Sequence, residues 1–162
     1  MLQVAGALAQ VPGALAYFNP NGEVLMRCDV LVLLSSKSGE PQQGLPLEAF
    51  CSCRSGLMEG RWSWVDSLGL AQLGLLDHEF VWEESEVSQR DQQELMLTMI
   101  HYQLHENAQV ATGQIANDPQ GKRWVAEERP SSCQLPRRRV LNWTLEGAPT
   151  TPSSLMEQSR AV

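Results

Sequence analysis

Apolar positions along this chain change period several times, and each change marks a new element. Val4, Ala7, Leu8 and Val11 recur every three or four residues, which places them on one face of a helix over 2–11. Pro12-Gly13 ends it, because proline cannot continue the hydrogen-bond ladder. Residues 14–18 read as a short buried strand closed by the turn Asn19-Pro20-Asn21-Gly22. Residues 24–34 stay open between two readings. The run Val30-Leu31-Val32-Leu33-Leu34 has strand composition, while its length also allows a buried helix. The Ser-, Gly-, Pro- and Gln-rich stretch 35–44 is a loop.

Strict alternation follows. Leu47, Ala49, Cys51 and Cys53 fall on one side, with Glu48, Phe50, Ser52 and Arg54 on the other, so 47–54 reads as a strand. Glu59-Gly60 offers a turn, and 62–73 returns as a longer strand paired to it in a hairpin. A third strand or extended edge spans 75–82. The clearest local signal comes next: Ser88 stands three residues before Asp91, a capping arrangement that satisfies free amides at a helix start. Glu86 and Asp91 add negative charge near the positive end of that helix. Leu95, Met96, Met99, Ile100 and Tyr102 form its apolar stripe, and Asn107 stops it. Residues 113–121 are polar and turn-rich, and strands at 123–127 and 139–145 flank a loop over 130–136. From 147 the chain loses periodicity and carries two prolines, so 147–162 is expected to be a disordered tail. The whole describes one α+β domain over 1–146: an antiparallel sheet of about five strands with two or three helices on one face.

Composition narrows the function classes. The 162 residues are 43% hydrophobic, enough for a core without metal or disulfide. A net charge of -7 argues against nucleic acid and against anionic membranes as partners. No window approaches the apolar length of a membrane span. The apolar start ends in Ala14-Leu15-Ala16, like a signal-peptidase site, yet no Lys or Arg precedes Arg27 and Gln3, Gln10 and Pro12 interrupt the run. Cys28, Cys51, Cys53 and Cys133 are read as reduced thiols of a cytoplasmic protein.

Candidate chemistry is sparse. His101 and His105 are four apart on a helix, so both imidazoles reach one face and could share a metal ion. The zinc-protease version needs an internal Glu, which His101-Tyr102-Gln103-Leu104-His105 lacks, and a third ligand would have to come from Cys133 or His78. The ordinary reading is two solvent-facing histidines. Asp77-His78-Glu79 could supply an acid and a base, but on a strand His78 points away from the two acids; the structural reading is an edge strand whose charges deter aggregation. Cys51-x-Cys53 has no partner pair and reads as packing. No nucleophile elbow and no phosphate-binding loop is present. Trp62 and Trp64 share a strand face, and an exposed pair would mark a protein contact. Acidic residues crowd 77–94 and basic ones 122–139, ending in Arg137, Arg138 and Arg139. The plain reading is two solvated faces; the sharper one is a dipolar surface that orients a partner.

The order of residues resembles the bacterial domain of unknown function 4261. The resemblance rests on Pro12-Gly13-Ala14-Leu15-Ala16, Leu45-Pro46-Leu47, Ser67-Leu68-Gly69-Leu70 with Leu73-Gly74 and Glu79, and Pro130-Ser131-Ser132 with Pro136-Arg137-Arg138-Arg139-Val140-Leu141. It spans roughly residues 7–146. It implies an α+β fold with antiparallel sheet, no assigned reaction and no catalytic residues, and a chain shortened at its N-terminal side. The expectation is therefore a non-enzymatic protein-interaction module that binds a protein partner or a second copy of itself. Trp62, Trp64, Arg137, Arg138 and Arg139 are its candidate contacts, and no cofactor is expected. The alternative is a metal-assisted enzyme using His101 and His105.

Overall fold

The computed structural model of the chain describes residues 2–37, 46–58, 62–83, 87–133 and 138–148, with Lys37 as backbone only. Most of the loop expected at 35–44, the turn at Glu59-Gly60, Glu86, Arg137 and the tail from 149 lie outside the described residues. In chain order the elements are α1 (Leu2–Leu8), β1 (Ala16–Asn19), β2 (Val24–Arg27), α2 (Cys28–Lys37), a 3-10 turn (Leu47–Ala49), β3 (Ser52–Met58) and β4 (Trp62–Leu68). A second 3-10 turn (Leu70–Leu73), β5 (Asp77–Glu83), α3 (Gln89–Glu106), β6 (Ile115–Asn117), β7 (Arg123–Pro130) and β8 (Arg139–Leu145) follow. They gather into two compact units. One comprises residues up to 52 with 68–75; the other comprises 53–67 and residues from 76 on.

In the first unit, β1 and β2 form an antiparallel hairpin with Phe18 opposite Leu25 and Tyr17 opposite Met26. The open segment 24–34 proves to be both a strand and a helix, for the apolar run from Val30 lies in α2. Leu2, Leu31, Ala49 and Phe50 make the core, with Ala5, Ala9, Tyr17, Met26 and Leu73 against them. The strand expected from residue 47 starts only at Ser52, because Leu47–Ala49 coils into the 3-10 turn. Its irregular backbone is satisfied by side chains: Tyr17 Oη and Asn19 Nδ2 donate to the Ala49 carbonyl at 3.1 and 3.2 Å, and Gln72 Nε2 donates to that of Phe50 at 2.7 Å. The long strand expected at 62–73 breaks at Gly69. Its φ of 120° is open to glycine, and a Cβ there would meet the Phe50 carbonyl oxygen and come within 2.7 Å of Gly22 Cα.

The second unit is built on a six-stranded sheet in the order β3-β4-β5-β8-β7-β6. The sheet is mixed rather than antiparallel throughout, since β5 and β8 run parallel with Asp77 beside Val140 and Phe80 beside Trp143. The reason is the connection: α3, β6 and β7 intervene, and so long a crossover lets the chain re-enter in the same direction. β5 is thus an interior strand, not an edge. Residues 113–121 contain β6, a strand too short to show a period among turn residues.

Alternation splits the sheet into two faces. His78 and Phe80 of β5, Trp143 of β8, and Trp124 and Ala126 of β7 share one face, as their registers show. Phe80 stacks on Trp143 at 5.7 Å between ring centroids and meets Trp124 edge-on at 5.3 Å. Trp124 and Trp143 are fully buried, in line with a core role for most tryptophans. Asp66, Asp77, Glu79 and Asn142 fall on the other face.

Candidate functional site

Helix α3 is fixed in rotation by polar anchors at both ends of its buried stripe. Ser88 caps it, its hydroxyl accepting from Asp91 N at 3.4 Å, and Asn107 ends it in a left-handed conformation at φ 48°. Buried Leu95, Met96 and Ile100 lie between buried Gln92 and Gln103, while Tyr102, expected in the stripe, is 52% exposed. Gln92 Nε2 reaches Asp118 at 3.5 Å, and Asp118 also accepts from Trp124 Nε1 at 3.3 Å. Gln103 Oε1 lies 2.7 Å from His78 Nε2. Trp143 Nε1, which can only donate, sits 3.1 Å from His78 Nδ1. That bond decides the tautomer: His78 accepts at Nδ1 and donates from Nε2 to Gln103. Burial pushes His78 down to about 4, against the smaller upward pull of Gln103. A neutral, doubly bonded imidazole has no lone pair left for a metal.

Across the sheet, Glu79 is also fully buried. Its carboxyl group accepts from Ser131 Oγ (2.5 Å), Ser132 N (2.9 Å), Cys133 N (3.2 Å) and Asn142 Nδ2 (2.8 Å). Four donors around one acid form a closed cradle that ties the 131–133 segment to β5. Burial first, then Glu79 and Asp66, push the Cys133 thiol far above its ordinary range, so it is held protonated rather than as a nucleophile. Asp66 accepts from Arg54 Nη2 at 2.8 Å and Nε at 3.0 Å, and Asp77 pairs with Arg138 at 3.1 Å. The Asp77-His78-Glu79 run is therefore an interior frame and not an edge defence: Asp77 and Glu79 face one way and His78 the other, each with its own partners.

The expected contact residues divide. Trp62 is buried at 4% with Val81, and Trp64, partly buried beside them, lays its indole over Gly56, where a Cβ would come within 2.9 Å of the ring. Arg138 is held by Asp77, and Arg139 pairs at the surface with Glu128 at 2.7 Å. Arg123 pairs with Glu146 at 2.9 Å, while the Arg138–Asp77 pair joins the basic stretch to the acidic one. His101 and His105 are both exposed, their rings 6.1 Å apart and 24° from parallel. Among the described residues no group of three or more His, Cys, Asp and Glu is placed to hold a metal ion. Cys28, Cys51, Cys53 and Cys133 form no disulfide. No helix among the described residues is long and apolar enough to cross a membrane.

A groove of about 470 Å³ runs between α3 and β6. Trp143, Ala116 and Leu95 line it together with Met99, Tyr102 and Ile115. Tyr102 and Ile115 are 52% and 47% exposed. β6 ends the sheet, so among the described residues no strand pairs with its outer side. Ala126 N donates to Gln114 O and Asp118 N to Lys122 O, which turns residues 114, 116 and 118 toward β7. The N–H and C=O groups of Ile115 and Asn117 therefore point to the open side. Sequence reasoning missed both this strand and the two glutamines; the spacing Gln92-Leu95-Met96-Met99-Ile100-Gln103 was the available signal for the latter.

Residues 66–144 match the family model described as Domain of unknown function (DUF4261). The resemblance read from the sequence is to this family. The match takes in just under half the chain, from β4 to β8, and so holds the groove, His78 and the Glu79 cradle. The DUF4261-like motifs seen at 12–16 and 45–47 lie outside the matched residues. No curated protein and no solved structure matches the chain.

Proposed function

We propose that this chain works by binding another protein, and that the DUF4261-like segment accepts an extended stretch of that partner beside β6. The observation that supports the reading is the pairing of two features in one place. Open backbone groups at Ile115 and Asn117 offer hydrogen bonds to an added strand, and the groove next to them offers apolar contact for its side chains. Neither feature alone selects an extended peptide; together they match its repeating backbone and alternating side chains. Arg139 and Trp64 belong to the same reading as outlying contacts, and cysteines outside disulfides suit a cytoplasmic setting.

The test is a random peptide library selected against the folded chain. Binders are expected to alternate apolar residues, and to be lost on Ile115→Pro or Tyr102→Ala with the melting temperature unchanged. Proline at 115 removes a donor that no strand among the described residues uses. Binders indifferent to both substitutions contradict the reading.

Self-association is a second reading, favoured by the first unit. Phe18 and Leu25 face each other across the hairpin at 60% and 72% exposure, and Leu15, just before β1, is 86% exposed. An apolar sheet face in water is a contact surface. Light scattering after size-exclusion chromatography distinguishes it: a dimer abolished by Phe18→Ser supports the hairpin contact, and a monomer at every concentration refutes it.

A further inference from the structure

Helix α3 presents one cluster that partner binding does not use. His101 and His105 lie one turn apart, and Gln103 between them is held inward by His78. That anchor fixes which way the helix faces, and both histidines lie on its exposed side. Their rings lie nearly parallel, 6.1 Å apart between centroids. His101 Nδ1 lies 2.9 Å from the Leu97 carbonyl oxygen, which can only accept, so Nδ1 carries the proton and Nε2 keeps its lone pair. A ligating histidine is oriented by just such a bond from its other nitrogen. The pair also lies in the last turns of an 18-residue helix, where the backbone dipole favours positive charge.

We infer that His101 and His105 form a two-imidazole site for a borderline divalent cation of the zinc class on the open face of α3. Nitrogen ligands suit zinc, copper and nickel rather than calcium or magnesium. Two protein ligands leave the remaining positions to water, so the site is open and exchangeable, unlike a structural four-ligand centre. Among the described residues nothing supplies a third ligand, which separates this site from the metal-assisted enzyme. Its effect is on the helix: an ion bridging positions one turn apart clamps the C-terminal turns of α3, and with them the wall of the groove that carries Tyr102.

The test is zinc titration of the full chain in competition with a chromogenic chelator, alongside thermal unfolding. Zinc is expected to bind at one per chain and to raise the melting temperature, since an ion that binds only the folded state stabilises it by mass action. His101→Gln and His105→Gln should each weaken binding by at least roughly tenfold, the low end of what even an outer-shell change costs. Both positions are exposed, so the variants keep the melting temperature of the parent without zinc. Cys53→Ser should leave binding unchanged. Zinc affinity that survives both histidine substitutions, or that falls with Cys53→Ser instead, overturns the inference.

Discussion

The two units of this chain distribute polarity in opposite ways. Of the twelve large hydrophobic side chains exposed among the described residues, eight lie in the first unit: Val4, Leu8, Val11, Leu15, Phe18, Leu25, Val30 and Leu33. Of the twelve buried polar or charged residues, all but Asn19 lie in the second. The first unit thus leaves apolar surface in water. The second takes acids, a histidine and glutamines out of water, which is tolerable only because nearly every one is bonded. One unit carries apolar groups outward, the other polar groups inward. On the reading proposed above, stability is concentrated at the polar anchors of the second unit, and contact at the exposed faces.

The largest effect that sharpens this contrast is expected at Glu79. Glu79→Ala leaves four donors facing an empty space, and unpaired buried donors cost about 1–3 kcal/mol each before water or repacking compensates. A net loss of at least roughly 3 kcal/mol, read by urea unfolding, is the expectation. A loss below about 1 kcal/mol, the ordinary effect of a point change, breaks the claim that the cradle holds β5 and the 131–133 segment together.

Next comes the pH dependence set by His78. Its ordinary value is 6.5 and burial lowers it to about 4, so below pH 6.5 the unfolded chain binds a proton that the folded chain refuses. The contribution is whole above pH 6.5 and is lost as pH falls toward 4. At about 1.4 kcal/mol per unit of pKa it amounts to roughly 3 kcal/mol. Thermal unfolding across that window should slope more steeply for the parent than for His78→Gln. Equal slopes contradict a buried neutral imidazole.

How far all this was legible in the sequence depended on range. Ser88, Asp91 and Asn107 act within one helical turn, and α3 begins and ends where they place it. The alternation of Asp77, His78 and Glu79 was equally local, and it holds. What surrounds those residues was not local. Nothing near His78 in the chain announces Gln103 or Trp143, because the parallel partner of β5 arrives 63 residues after Glu79 as Asn142. Hence charges that looked like an edge defence are interior. The alternation at 47–54 misled for a related reason: Leu47 and Ala49 are buried as a strand would bury them, yet a 3-10 turn does it.

The smallest expected effect is on the first unit, and it is as telling as the largest. Phe18→Ser or Leu25→Ser should change folding stability by no more than about 0.5 kcal/mol, since both side chains are already in solvent. The same substitutions should lower any concentration-dependent mass seen by light scattering. A loss of folding stability above about 1 kcal/mol places these residues in a packed core and breaks the contrast between the units.

The proposal of strand addition at β6 meets its most direct test in amide hydrogen exchange, followed residue by residue with and without a selected peptide. In the free chain the Ile115 and Asn117 amides should exchange fast, while that of Ala116, turned toward β7, is protected. Bound peptide should protect Ile115 and Asn117 as well. Protection that appears elsewhere, with these two amides still open, contradicts the account.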